Sequence, residues 1–251
     1  MKDMRHALSK AVDNNEFVLY YQPQINLKTK ELIGIEALIR WNSPQLGIVT
    51  PDNFIPFAEK SKLIVKIDNW VLKEVCEQCR KWENLKIRPK RVALNISSKQ
   101  FENSKFITFV NKTLKETRAK ANWLEFEITE RSLIENVDQA IKTLSNLREL
   151  GIKIALDDFG TGYSSLIYLR NFPIDKIKID KTFMKDIPES RENVAIVKTI
   201  IDLCRNIGVV AVAEGVETEE QLEVLVRYGC DEAQGYLFGR AMNVKDIESI
   251  I

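Results

Sequence analysis

Ile152-Lys153-Ile154-Ala155-Leu156-Asp157-Asp158-Phe159-Gly160-Thr161-Gly162-Tyr163-Ser164-Ser165-Leu166 is the stretch on which the fold turns. A mostly apolar run ends in two acids and then in small, polar, glycine-rich residues. That is the pattern of a buried strand whose carboxyl end opens into a loop. Successive side chains on a strand point to opposite faces, so Asp157 and Asp158 are expected to diverge, one into a barrel or crevice and one across its rim. Two adjacent acids at a buried strand end repel each other and resist desolvation, and a divalent cation relieves both costs. The alternative, from this stretch alone, is that the pair caps the next helix or bonds the loop.

Outward from this strand, strand and helix patterns alternate. Strands are expected at Phe17–Gln22, Glu31–Arg40, Arg91–Ser97, Trp123–Thr129, Ile152–Asp158, Ile174–Asp180, Val209–Glu214 and Asp231–Tyr236. Pro23 is expected to stop the first, and the turn at Asn26–Lys30 leaves too short a link for a parallel crossover, so the first two strands are antiparallel. Helices then intervene at Pro51–Glu59, Leu63–Trp82, Asn103–Thr117, Arg131–Leu150, Ser164–Arg170, Arg191–Ile207, Thr218–Tyr228 and Val244–Ile250. Leu133, Ile134, Val137, Ile141, Leu144 and Leu147 recur at helical spacing before Gly151, a helix stop. Thr218 and Gln221 read as a capping box. This alternation in 251 residues predicts an α/β fold, a (β/α)8 TIM-like barrel with an antiparallel first strand. An open doubly wound sheet is the weaker alternative. Residues 1–15 read as a helix ending a linker, and 16–251 as the barrel.

Composition narrows the function. Lys+Arg is 37 against 36 Asp+Glu, without the basic excess of a general nucleic-acid or membrane binder. No apolar run reaches transmembrane length, and Met1–Lys10 lacks a signal-peptide core. Four cysteines in a chain of this length make no disulfide framework, so a reducing, cytoplasmic setting is expected, as a free protein or as the cytoplasmic part of a membrane-anchored one. Cys76 and Cys79 form a C-x-x-C inside a helical pattern and read as packed thiols. His6 is the sole histidine, which excludes a histidine-type zinc site. A metal site here must use oxygen ligands, which points to Mg²⁺, Mn²⁺ or Ca²⁺.

In such barrels the working site lies at the carboxyl ends of the strands. Those ends carry Glu36 and Arg40, Asn95, Glu127 and Glu130, Asp157 and Asp158, Lys178 and Asp180, Glu214 and Glu217, and Gln234. Strand parity puts Glu36 and Arg40 on one face, and Lys178 and Asp180 on another. Each residue alone could be a cap or a surface ion pair. Together they form a ring with more acids than bases, which is unfavourable in a buried mouth without cations. Oxygen ligands around two divalent ions suit hydrolysis of a phosphodiester. Glu214 is placed to orient or deprotonate a water, Lys178 to hold that water or a phosphate oxygen, and Arg40 to pair with a phosphate.

At these residues the chain resembles the EAL domain family, the cyclic di-GMP phosphodiesterases of bacteria. The motif stands as Glu36-Ala37-Leu38, and the likeness runs from Tyr21-Gln22-Pro23 to Gln234-Gly235-Tyr236. The Asp157–Leu166 stretch and Ala213-Glu214-Gly215-Val216-Glu217-Thr218 are its most specific parts. The resemblance implies hydrolysis of cyclic di-GMP to linear pGpG with two Mg²⁺ or Mn²⁺ ions. It implies that Glu36, Asn95, Glu127 and Asp157 hold the first ion, and that Asp157 and Asp158 hold the second. Glu214 would then be the general base, with Lys178 near the attacking water. Glu130 would brace the loop after Asp158, close to a homodimer interface. Gln22 and Arg40 would contact substrate, with Glu217, Gln234 and Asp180 around them. An upstream sensor or GGDEF domain is the expected context, with no DNA and no membrane contact by this domain. Lys62 stands where the family usually has glycine, and Ala241 where it usually has proline; both lie away from the implied ligands. The rivals are a receptor that binds cyclic di-GMP without cutting it, and a protein-interaction scaffold.

Overall fold

The computed structural model describes residues 2–161 and 166–251. Its strands are β1 (Phe17–Asn26), β2 (Leu32–Ser43), β3 (Gly47–Val49), β4 (Val92–Ile96), β5 (Leu124–Thr129), β6 (Lys153–Phe159), β7 (Lys176–Ile179), β8 (Val210–Ala213) and β9 (Glu232–Gln234). Its helices are α1 (Lys2–Asp13), α2 (Pro51–Lys60), α3 (Ile64–Leu85), α4 (Ser98–Phe101), α5 (Phe106–Thr117), α6 (Glu130–Ile134), α7 (Val137–Glu149), α8 (Leu166–Leu169), α9 (Lys181–Met184), α10 (Arg191–Ile207), α11 (Glu219–Tyr228) and α12 (Val244–Glu248).

Around the sheet the order is β1-β9-β8-β7-β6-β5-β4-β2, and β1 pairs back with β2 to close an eight-stranded barrel. β1 runs antiparallel to both neighbours, and the remaining neighbours are parallel. The barrel predicted from the alternation is therefore the fold, and the open sheet is not. Trp41, Trp82, Phe54, Phe106 and Phe126 are almost wholly buried between the barrel and its helices, each such side chain contributing about 1.5–3 kcal/mol. Both indoles find acceptors. Trp41 Nε1 donates to Glu16 at 2.9 Å and Trp82 Nε1 to Glu248 at 2.7 Å, the second tying α3 to α12.

Several local expectations needed correction. Pro23 does not stop β1; it pairs across from Ile35. Ile35 sends its N–H to Arg91 O on its other side, so the missing proline N–H breaks no bond between β1 and β2. The helix expected at Arg131–Leu150 is two helices. Asn136 interrupts it, with a side chain that accepts from Gln139 N and starts α7, the competition with the backbone that asparagine favours. The hairpin strand β3 and the one-turn helices α4 and α9 were not anticipated. Asp180 and Ser97 cap α9 and α4. Of the helix expected near Ser164–Arg170, Leu166–Leu169 is helical, and Ser164 and Ser165 lie outside the described residues. The thiols of Cys76 and Cys79 are free and buried, and burial pushes Cys76 up to about 12.

Lys62 closes α2 with φ of +62°. Leu63 N bonds Ala58 O at 2.9 Å and Lys62 N bonds Glu59 O at 3.2 Å, the paired bonds of a Schellman ending. Glycine takes this left-handed conformation freely, whereas a side chain strains it by about 1–2 kcal/mol. Lys62→Gly is accordingly expected to stabilise the protein by about 0.5–1 kcal/mol after glycine's extra chain entropy. The midpoint of urea unfolding measures this, and an unchanged or lower midpoint would contradict it.

Candidate active site

The ladder between β6 and β7 builds the centre of the site. Leu156 pairs with Ile177 and Phe159 with Ile179, so Asp157 and Asp158 together face the single residue Lys178. This is a β-bulge. Asp158 sits in it with φ of +54°, a conformation that a non-glycine residue keeps only where its surroundings impose it. The bulge interrupts the ladder, yet the two acids diverge as expected, Asp157 buried against Lys178 and Asp158 exposed at the rim, and Asp158 N donates to Asp157 Oδ1 at 3.0 Å.

Lys178 is 2% exposed, and its Nζ lies 2.7 Å from Glu127 Oε2, 2.7 Å from Glu214 Oε1 and 3.3 Å from Asp157 Oδ1. Glu36 is buried beside them; its Oε1 accepts from Asn95 Nδ2 at 2.7 Å and its Oε2 from Gln234 Nε2 at 2.6 Å. Gln234 Nε2 also reaches Gln22 Oε1 at 3.0 Å. Gly235 lets the end of β9 close on the loop after β8, because a Cβ there would stand 2.1 Å from Val216 O.

One ammonium cannot neutralise four carboxylates. Burial would push Glu36 up, but the Lys178 charge and hydrogen bonds from Gln234, Glu127 and Asn95 hold it below its ordinary value. Glu127 goes the other way. Its burial and then the charge of Glu36 drive it well above its ordinary value despite Lys178. Burial pushes Glu214 up to about 8, with Asp157 and Glu36 adding and Lys178 opposing. Asp158 is raised by burial and then by Asp157 and Asp180. Desolvation would lower Lys178, but Asp157, Glu127, Glu214 and Glu36 hold it well above its usual range.

Among the described residues no three carboxylates, imidazoles or thiols converge as a preformed cation cage; the centre is held by the Lys178 ammonium. The donor chemistry nonetheless fits a hard cation. Every candidate ligand is an oxygen donor. With both carboxyls ionised, neither Glu127 oxygen has a hydrogen-bond partner among the described residues, and Lys178 is its one near counter-charge there. A divalent ion shared by Glu36, Asn95, Glu127 and Asp157 would supply the positive charge that this group lacks.

The remaining sequence candidates spread around the mouth. Gln22, Glu36, Glu214, Glu217 and Gln234 line a cleft of about 320 Å³ with Lys181 and Tyr236. Arg40 is two pleats beyond Glu36 on β2, with its guanidinium 5.7 Å from the Tyr20 ring centre and bonded to Ile39 O. Asp180 commits Oδ1 to capping α9 through Thr182 N at 2.9 Å and Thr182 Oγ1. Glu130 opens α6 and lines a second cleft, of about 1020 Å³, with Asp158 and Thr161. Part of the loop it was expected to brace, residues 162–165, lies outside the described residues.

Beneath the site is a layer that was not anticipated. Gln24, Glu125, Lys176 and Glu232 are buried, and Arg91 joins them. Strand parity could have found it, since Gln22 and Gln24, Glu125 and Glu127, Lys176 and Lys178, and Glu232 and Gln234 are spaced by two.

Comparison with known proteins bears on the family and the fold. The EAL domain model matches residues 5–241. The bifunctional diguanylate cyclase/cyclic di-GMP phosphodiesterase MucR of Pseudomonas aeruginosa is 40% identical over 96% of this chain and 35% of that protein. The cyclic di-GMP phosphodiesterase PdeR of Escherichia coli is 39% identical over 94% of this chain and 35% of that protein. The chain thus spans about a third of the length of these curated relatives. The solved structure of the PaMucR phosphodiesterase in complex with c-di-GMP superposes with a TM-score of 0.94 at 39% identity, covering 98% of this chain and 99% of that one.

The acid ring predicts a pH signature in metal-free protein. Glu214 holds its proton up to about pH 8 when folded, against an ordinary value of 4.5. The folded chain binds the extra proton between those values, so stability falls as pH rises through that window. The slope is at most about 1.4 kcal/mol per pH unit for each such group, and is less here because the Glu214 side chain is 18% exposed. Urea unfolding in chelator from pH 5 to pH 8 should show this decline, and Glu214→Gln should flatten it. Equal slopes in the two proteins would refute the assignment.

Proposed function

Because the chain belongs to the EAL domain family, we propose that it is a metal-dependent phosphodiesterase that opens cyclic di-GMP to linear pGpG. The observation that carries this reading is the charge imbalance at the barrel mouth, where, among the described residues, Lys178 is the cation in contact with Glu127, Asp157 and Glu214 and also acts on the buried Glu36. Such a site favours divalent cations, and with them a phosphate. The names of MucR and PdeR, each a cyclic di-GMP phosphodiesterase, support the substrate class.

In this reading Glu36, Asn95, Glu127 and Asp157 hold one Mg²⁺ or Mn²⁺, and Asp157 and Asp158 hold the second. Bound there, the ions would polarise the phosphoryl oxygens and acidify a water. Glu214, ionised once bound cations supply the missing positive charge, would accept a proton from a water at a carboxylate oxygen, and Lys178, which can only donate, keeps Glu214 turned toward the centre. Gln22, Gln234 and Glu217 line the adjoining cleft and position the nucleotide, and Arg40 on the same face of β2 offers charge to a phosphate. Asp180 acts from behind, through the cap that fixes α9 and with it Lys181. Glu130 holds Asp158 and its loop from the larger cleft. A homodimer, and control by a domain elsewhere in a longer protein, belong to the same proposal. No helix among the described residues is long and apolar enough to cross a membrane.

Incubation with cyclic di-GMP and Mg²⁺ or Mn²⁺, followed by chromatography for pGpG, tests the reading. Glu36→Ala and Asp157→Asn are each expected to lower metal-dependent turnover by about a hundredfold or more while the chain stays folded by circular dichroism. Tight binding of cyclic di-GMP without product in the unmodified protein would make it a receptor instead, and near-normal rates in either variant would remove those residues from the metal site.

A further inference from the structure

A directed chain of hydrogen bonds links the floor of the barrel to Glu36. Arg91 lies at the floor, with Nε 3.0 Å from Glu125 Oε1 and an Nη2 that donates to Glu232 Oε2 at 2.9 Å. The same Nη2 donates to Gln24 Oε1 at 2.9 Å. Gln24 Nε2 donates to Gln234 Oε1 at 2.9 Å, and Gln234 Nε2 donates to Glu36 Oε2 at 2.6 Å. Gln24 and Gln234 are 1% and 4% exposed, so no bulk water reorders these bonds.

A carboxamide can turn either its oxygen or its nitrogen to a neighbour, and the choice is made by the network around it. A guanidinium has no acceptor. Arg91 therefore accepts one orientation of Gln24, oxygen down and NH₂ up. That NH₂ in turn accepts one orientation of Gln234, with its NH₂ toward Glu36. The room for this relay is built into the strand. Gly34 is opposite Gln24 in the β1–β2 ladder, and a Cβ there would stand 2.9 Å from Gln24 Oε1 and 3.1 Å from Arg91 Nε.

We propose that Gln24 is a positioning residue for the metal site: it relays the donor polarity of Arg91 through Gln234, so that an NH₂ group faces Glu36 and holds its carboxylate in register for a cation. This rests on the reading of Glu36 as a metal ligand. Second-layer contacts of this kind are worth about 10–100-fold in metal affinity.

The charge on residue 24 separates this role from packing. Gln24→Glu keeps the shape and gains an ion pair with Arg91, but cannot donate to Gln234 when ionised. A packing role, or simple long-range attraction by an added negative charge, predicts Mn²⁺ binding as tight as before or tighter. The relay predicts binding weaker by about tenfold or more, because Gln234 must present its oxygen to a carboxylate at one end. Gln24→Met, which removes both bonds without adding charge, is expected to weaken binding severalfold, less than Gln24→Glu. Calorimetric titration of each protein with Mn²⁺, alongside urea unfolding in chelator, reads affinity and fold separately. Unchanged or tighter binding by Gln24→Glu overturns the relay while leaving the metal reading intact. Should that variant fail to fold, unchanged binding by Gln24→Met overturns it equally. If the unmodified protein takes up no Mn²⁺, the metal reading fails first and the relay falls with it.

Discussion

Lys178 is held where a lysine is least expected, 2% exposed at the axis of a barrel, and the carboxylates around it could not be buried without it. Taking an isolated charge out of water costs several kcal/mol even after relaxation. Contacts at 2.7 Å to two carboxylates offset that cost for the ammonium, but spread one positive charge over a group of acids. The shortfall appears in the acids themselves, as Glu127 and Glu214 are driven toward protonation. Protons and metal ions are thus alternative answers to the same deficit. Small neighbours make the crowding sterically feasible: Ala93 is beside Glu36 and Ala155 beside Glu127 in the ladders. A barrel interior filled in the usual way, with branched apolar layers, would leave no space for these long polar side chains.

The barrel was legible because it depends on two coarse signals, the alternation of apolar runs with helical faces and the short link between the first two strands. The candidate ligands were legible for a related reason, since a barrel concentrates chemistry at strand ends and strand ends can be listed. Finer features follow from interactions between segments, which one stretch of sequence does not display. The bulge at Asp157–Asp158 exists because β7 supplies one residue against two; nothing within Ile152–Asp158 announces it. Pro23 looks like a strand terminator until the direction of the Ile35 N–H is known. Lys178 was expected to sit near the attacking water, and its place at the hub of the acids depends on three other strands. The lower polar layer is different. Its period-two signal is present in the sequence, since Gln24, Glu125, Lys176 and Glu232 each lie two positions from a polar residue of the mouth.

That lower layer explains why the upper one is reactive. At the floor, Arg91 and Lys176 face Glu125 and Glu232, two positive charges against two negative. At the mouth, Lys178 faces Glu36, Glu127, Asp157 and Glu214, one against four. Both groups are buried in the same barrel, and β5 and β7 contribute to each, so burial alone does not distinguish them. The difference is stoichiometric. A neutral floor has no excess charge to attract a cation, and its ions hold one another in place. The mouth carries three carboxylates beyond what its lysine can match, and these must be met by protons or by metal. The antiparallel β1 belongs to this arrangement, because it carries Gln24 at the floor and Gln22 at the mouth on one strand face. It thereby contributes carboxamides, which adapt their polarity to either neighbour, where a charged residue would have disturbed both balances.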